Sequence, residues 1–148
     1  MTPDVNVLLA ASRADHQHHQ PARDWLTGAL DEAARGAPLT LQPMVIASFL
    51  RLATHPKIFV EPTPIEAALR FVDALLTAPG VVQAVLGAEW PQLQQLCAEK
   101  QLRGNDLPDA WLAAAVLQQG EHLVSFDGDF RRLLPRARFT RLAPESGR

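Results

Sequence analysis

The sequence is short of the features that would take a chain out of the ordinary globular class. It has one cysteine, Cys97, so no intrachain disulfide can form and nothing points to secretion. No apolar run approaches the ~20 residues needed to span a bilayer. The opening residues Met1-Thr2-Pro3-Asp4 lack the basic and apolar stretches of a secretory leader. There is no repeat, low-complexity tract or linker. Charge of one sign is also missing: 14 Lys and Arg stand against 16 Asp and Glu, a net charge of −2. That balance excludes a nucleic-acid footprint spread over the whole surface, though not a local one. What remains is 148 residues, 47% hydrophobic and 20% charged, which is the size and balance of one folded domain with one core. The expectation is a single domain over residues 1–148, cytoplasmic and without membrane contact.

Hydrophobic spacing gives short apolar strands alternating with helices. Strands are expected around Asp4–Val7, Leu39–Gln42, Val81–Val85, His122–Phe126 and Arg138–Leu142. Helices are expected over His18–Ala34, from Pro43 to Leu52, over Pro64–Ala78, around Trp90 to Cys97 and over Leu107–Gln119. This alternation predicts an α/β fold with a mainly parallel sheet covered by helices on both faces.

In such sheets ligands bind beyond the carboxyl ends of the strands, and acidic residues fall at these places. Asp4 lies in or at the end of the first strand. Asp109 opens a helix after Gly104-Asn105-Asp106-Leu107-Pro108, and Asp127 follows the strand ending Ser125-Phe126, with Asp129 two residues on. Carboxylates gathered in one cleft repel each other, so either some protonate or a divalent cation neutralises them. Oxygen donors alone favour Mg²⁺ or Mn²⁺ over zinc. Such an ion polarises a phosphodiester and helps generate hydroxide from water. Each acid also has a structural reading: Asp106 as an N-cap, Asp109 as a first-turn carboxylate favoured by the helix dipole, and Asp129 as the cap of a helix starting at Phe130. Asp4 has none of these, because aspartate is depleted in strands.

Several segments, in order and over nearly the whole length, resemble PIN-domain ribonucleases, specifically the VapC-type toxins of bacterial toxin–antitoxin pairs. They are Asp4-Val5-Asn6-Val7-Leu8-Leu9, Phe49-Leu50-Arg51-Leu52-Ala53-Thr54-His55-Pro56-Lys57-Ile58-Phe59, Pro62-Thr63-Pro64, Arg103-Gly104-Asn105, Pro108-Asp109-Ala110 and Ser125-Phe126-Asp127-Gly128-Asp129-Phe130. The resemblance implies a three-layer fold and a Mg²⁺-dependent endoribonuclease (Mn²⁺ as an alternative) that leaves a 3′-hydroxyl and a 5′-phosphate. It also implies structured RNA such as tRNA as substrate, a VapB-like antitoxin as partner, and a homodimer. The family's catalytic metal carboxylates map onto Asp4, Asp109 and Asp127, with Asp129 as an auxiliary ligand. One position departs from the family: many PIN nucleases carry a glutamate where Ser48 stands here, and no acid lies between Glu32 and Glu61 to replace it.

Around these acids, Asn6, Ser125, Ser48 and Asp106 are candidates to orient water or a carboxylate. Arg51, Lys57, Arg103 and Arg131 are candidates for RNA contact, with Arg132, Arg136, Arg138 and Arg141 extending a basic C-terminal region. The same arginines also suit an acidic partner segment or plain solvation. His16, His18 and His19 read as a surface run rather than a metal cluster, and Trp25, Trp90 and Trp111 as core or dimer contacts rather than base-stacking platforms. Two rival functions stand beside the nuclease. A PIN-like module without the glutamate would bind RNA or antitoxin without cutting. A receiver- or phosphatase-like domain would need a lysine beyond a later strand, and neither Lys57 nor Lys100 is so placed.

Overall fold

The structure, a computed structural model, describes residues 1–144, so the last four residues of the expected domain lie outside the described residues. The element order is β1 (Thr2–Pro3), α1 (Val5–Ser12), α2 (His19–Ala34), β2 (Leu39–Leu41), α3 (Pro43–Ala53), α4 (Ile65–Thr77), β3 (Val81–Gln83), α5 (Trp90–Lys100), α6 (Asp106–Gln119), β4 (Leu123–Ser125) and β5 (Phe139–Arg141). Two 3₁₀ turns, Gly128–Arg132 and Arg136–Arg138, lie between β4 and β5.

Every strand pair is parallel. β4 lies between β1 and β5, with Pro3 opposite Val124 and Ser125 opposite Arg141. β2 pairs with β3, Leu41 facing Gln83. The two ladders meet where the Thr40 N–H donates to the Met1 carbonyl at 2.9 Å. This gives the spatial order β3-β2-β1-β4-β5, in which the chain leaves β1 in one direction and later returns to its other side. The reversal falls between β1 and β4, and the crevice outside their carboxyl ends is where such sheets place ligands. Helix packing follows the same division. α1 packs on α2 and α3, α3 on α4, and α5 on α6.

The elements follow from their residues. α3 starts at Pro43, whose missing N–H costs nothing in a first turn. α6 ends at Gly120 in the left-handed conformation, φ 67°. In α6 the unbroken run Leu112–Val116 is buried, so this helix is enclosed rather than half-solvated. Leu8, Leu39, Leu41, Phe49, Leu123 and Phe130 form the main core with it. Arg13, at the end of α1, is buried. Its guanidinium lies 3.8 Å over the Phe59 ring, donates to Thr63 Oγ1 at 3.0 Å and the Glu61 carbonyl at 2.9 Å, and pairs with Asp15. It ties α1 to the connection between α3 and α4.

The first strand is displaced from the expectation over Asp4–Val7. β1 ends at Pro3, and Asp4 is the N-cap of α1, in extended conformation with its carboxylate accepting from the Val5 N–H at 2.7 Å. Val5–Ala10 is buried or half-buried as a helix, so the apolar run that reads as a strand is satisfied by helical packing. Asp106 does not cap α6 either: Asn105 holds the cap position and Asp106 is the first helical residue. The cap of the first 3₁₀ turn is Asp127, not Asp129, whose N–H donates to Asp127 Oδ1 at 2.9 Å.

Candidate functional site

Asp4 leaves β1 and Asp127 comes two residues after β4, so the sheet reversal brings residues 123 positions apart to one crevice. Ser125 joins them. Its hydroxyl donates to Asp4 Oδ2 at 2.7 Å and accepts from Asn6 Nδ2 at 3.0 Å and from the Asp127 N–H at 3.0 Å. Asn6 Oδ1 in turn accepts from the Phe126 N–H at 3.2 Å. The network holds the Asp4 carboxylate through Ser125 and ties the backbone leading to Asp127 to Asn6 and Ser125.

Asp4 and Asp109 line one cleft of about 380 Å³, together with Ser48 from α3. Val5, Met44, Val45, Leu107, Trp111 and Leu112 form its apolar walls. Ser48 thus stands in the cleft at the position where the family pattern has a glutamate.

The electrostatics are those of carboxylates without enough positive charge. Asp4 is only 7% exposed, and burial raises its pKa above the ordinary value. The Ser125 and Val5 hydrogen bonds oppose the rise, and the charge of Asp127 adds to it. Asp109 is pushed up to about 6, first by burial and then by the charges of Asp4, Asp127 and Asp129, with Arg132 opposing. Arg132 is engaged with Asp106 at 3.3 Å, and Asp106 also accepts from the Arg103 N–H, which keeps it out of the cleft lining.

Among the described residues no three His, Cys, Asp or Glu side chains are grouped so as to hold a metal ion between them. The donors that do meet are carboxylates and a hydroxyl, all hard oxygen, and their charge is uncompensated. This suits a cation held by one or two carboxylates that keeps several of its waters, the usual state of Mg²⁺. An all-protein cage is not formed. The residues present therefore fit a hydrated divalent ion at Asp4 and Asp109, with Asp127 and Asp129 supplying negative potential.

The cation candidates are scattered. Arg51, Lys57 and Arg103 are exposed and line no cleft described here. Arg131 does. With Arg136, Arg141, Leu134 and Phe139 it surrounds a polar cleft of about 550 Å³. Arg141 Nε donates to the Phe126 carbonyl at 3.2 Å, immediately before Asp127, and no carboxylate among the described residues pairs with these three arginines.

The histidine run is partly structural. His19 Nδ1 lies 2.8 Å from the Ala10 carbonyl, His16 Nδ1 accepts from the His18 N–H, and His18 stacks on Phe126 with ring centroids 5.0 Å apart. Of the tryptophans only Trp25 packs against the core. Trp90 and Trp111 are 57% and 46% exposed, and Trp111 lines the acidic cleft, a placement the sequence reading missed. The signal was present in α6. Leu112–Val116 buries one continuous stretch, while Asp109 and Trp111 fall at its open N-terminal end.

The family model described as PIN domain matches residues 1–133. Ribonuclease VapC25 of Mycobacterium tuberculosis is 41% identical over 136 residues, covering 87% of this chain and 89% of the relative. VapC ribonuclease Mb2897 of Mycobacterium bovis is 39% identical over 131 residues, covering 87% and 86%. Among solved structures, Mycobacterium tuberculosis VapC20, described as a sarcin-ricin loop cleaving toxin, superposes with a TM-score of 0.64 at 18% identity over 97% of this chain and 98% of that one. VapBC2 of Rickettsia felis, bound to a promoter DNA fragment, gives 0.62 at 15% identity over 96% and 98%. These last two speak to the fold alone. With a matching domain model over most of its length and relatives above 40% identity, the chain belongs to the PIN-domain family, in the group of VapC ribonucleases.

Proposed function

We propose that this protein is a divalent-metal-dependent endoribonuclease, the toxin of a VapBC-type pair, acting on RNA in the cytoplasm and held inactive by a VapB-like antitoxin. The observation that carries the reading is geometric: Asp4 and Asp109, 105 positions apart in the chain, line one cleft at the sheet reversal, where burial raises the pKa of both. Two acids made this costly to ionise are explained by a cation that the fold expects.

Asp4, Asp109 and Asp127 would hold the ion, Mg²⁺ or Mn²⁺, directly or through its waters, with Asp129 as an auxiliary. When bound, it polarises the phosphodiester and lowers the pKa of a coordinated water. Ser125 and Asn6 hold Asp4 in orientation, and Ser48 offers a neutral hydroxyl to substrate or water. Arg131, beside Arg136 and Arg141, gives the RNA backbone a cationic path next to the acids, while Arg51, Lys57 and Arg103 contribute from the surface. A structured RNA such as tRNA is the substrate class, and a homodimer the working assembly. The test is cleavage of RNA by the purified protein with Mg²⁺, with EDTA, and as Asp4→Asn and Asp109→Asn. The reading requires metal-dependent cutting lost in both variants. Cleavage at the wild-type rate by either variant removes the proposed site.

A second reading is favoured by Ser48. A cleft with one carboxylate fewer binds its cation more weakly, and the protein would then be a module that binds RNA or antitoxin without turnover. RNA binding without any cleavage at millimolar Mn²⁺ would select it.

A further inference from the structure

We propose that the apolar end of the acidic cleft is a nucleobase subsite with Trp111 as its stacking platform, receiving the base of a nucleotide whose phosphate lies at Asp4 and Asp109. The proposal rests on the ribonuclease reading and adds to it a place where bases are gripped.

Trp111 leaves nearly half of its large surface in solvent while lining the cleft that holds both acids. Its ring is not free to turn. Nε1–H donates to Glu89 Oε1 at 2.7 Å, and Glu89, 3% exposed, is anchored by the Gly87 N–H at 2.6 Å. Through these two hydrogen bonds Glu89 fixes the polar edge of the indole. With its polar edge satisfied, the exposed part of the ring offers apolar surface at the cleft. Met44 and Leu107 supply further wall there. Ser48, whose hydroxyl bonds to no other protein group among the described residues, can donate to or accept from a base edge.

Proteins that act on RNA single strands and loops take bases out of the stack onto aromatic faces. A nucleotide matches both ends of this cleft, since its phosphate and accompanying cation meet the carboxylates while its base covers the indole. A partner segment would need both an apolar and a cationic side chain at matching spacing to do the same, and binding that is insensitive to every abasic position would point to it.

The test is binding of a 12-nucleotide single-stranded RNA, and of the same RNA with one abasic nucleotide at each position in turn. Affinity is followed by anisotropy, with Ca²⁺ replacing the catalytic ion. One abasic position should weaken binding to the wild-type protein by about 5- to 150-fold, and Trp111→Ala should lose the same factor and no longer sense that position. Trp111→Phe, which keeps a ring face, should stay within about threefold of wild type. Glu89→Leu should behave like a partial loss and Glu89→Gln, which keeps an acceptor, should restore binding. Wild-type protein that binds every abasic RNA as tightly as intact RNA overturns the subsite without any variant. So does a folded Trp111→Ala protein with unchanged affinity, and in both cases the nuclease reading survives. Wild-type protein that does not bind this RNA at all overturns the subsite, while the nuclease reading is decided separately by cleavage of RNA with Mg²⁺ and with EDTA.

Discussion

At Ser125 one hydroxyl serves three neighbours, donating to the buried Asp4 carboxylate and accepting from Asn6 and the Asp127 N–H. Ser125→Ala leaves Asp4 with a single hydrogen bond in a site that already disfavours its charge. The expected cost is about 1–3 kcal/mol in urea unfolding, with a fall of about 10- to 100-fold in cleavage through misplacement of the acid. Unchanged stability and activity would show that the network is incidental. Ser48 gives the opposite experiment. Ser48→Glu adds a carboxylate to the cleft, so it should tighten Mn²⁺ binding by about tenfold and lower the melting temperature of the metal-free protein. An unchanged Mn²⁺ affinity would mean that position 48 does not face the ion. These residue roles were only partly visible in the sequence. Asp4 and Asp127 stand out because acids at strand ends need a reason, and Asp109 because it opens a helix beside them. That Ser125 bridges two of them depends on the register of β1 against β4, which no local pattern carries.

Among the elements, the helices were readable because each buries a periodic face or is punctuated by proline and glycine: Pro43 opens α3, Ala78-Pro79-Gly80 closes α4 and Gly120 closes α6. The strands are two or three residues long, too short for alternation to set their ends, so the pattern predicts a first strand over Asp4–Val7 where the chain has a capping aspartate and the start of a helix. Short strands also make the connections count. Gly80, at φ 77°, passes so close to the end of α2 that a Cβ would overlap the Ala33 carbonyl oxygen. Gly80→Ala therefore combines a disfavoured backbone with a backbone clash, and should destabilise the fold by about 2–5 kcal/mol in chemical denaturation. A loss under 0.5 kcal/mol would mean that α2 can shift away at little cost. Arg13→Ala should cost about 2 kcal/mol, since it removes charged hydrogen bonds to the Glu61 carbonyl and Thr63 along with the packing on Phe59. Its signature should be faster hydrogen exchange in residues 55–64 with α6 unchanged.

For the whole molecule, the parallel α/β class followed from alternation of elements, whereas the order β3-β2-β1-β4-β5, and with it the meeting point of the acids, is a property of the assembled sheet. That meeting point makes metal-free stability depend on pH. Asp109 and Asp4 have folded pKa values raised above the unfolded value of 3.8, so the folded state holds more protons between the two. The contribution of Asp109 favours the fold at low pH and is lost as pH rises from about 4 through about 6, and that of Asp4 acts in the same sense. Glu89 and Glu121, whose pKa values are lowered, act in the opposite sense and over a more acidic range. Between pH 5 and 7 the metal-free protein should therefore lose stability from the acidic cleft, and saturating Mg²⁺ should abolish the loss. A melting temperature that rises through this interval without metal would contradict that assignment.

The central claim is that the fold gathers Asp4 and Asp109 into a cleft whose charge calls for a divalent cation. Calorimetric titration of the metal-free protein with Mn²⁺ at pH 7 tests it directly. The account predicts saturable binding of a divalent ion that is lost in the Asp4→Asn, Asp109→Asn double variant while the variant stays folded. Binding of equal strength in wild type and double variant, or none in either, would contradict it.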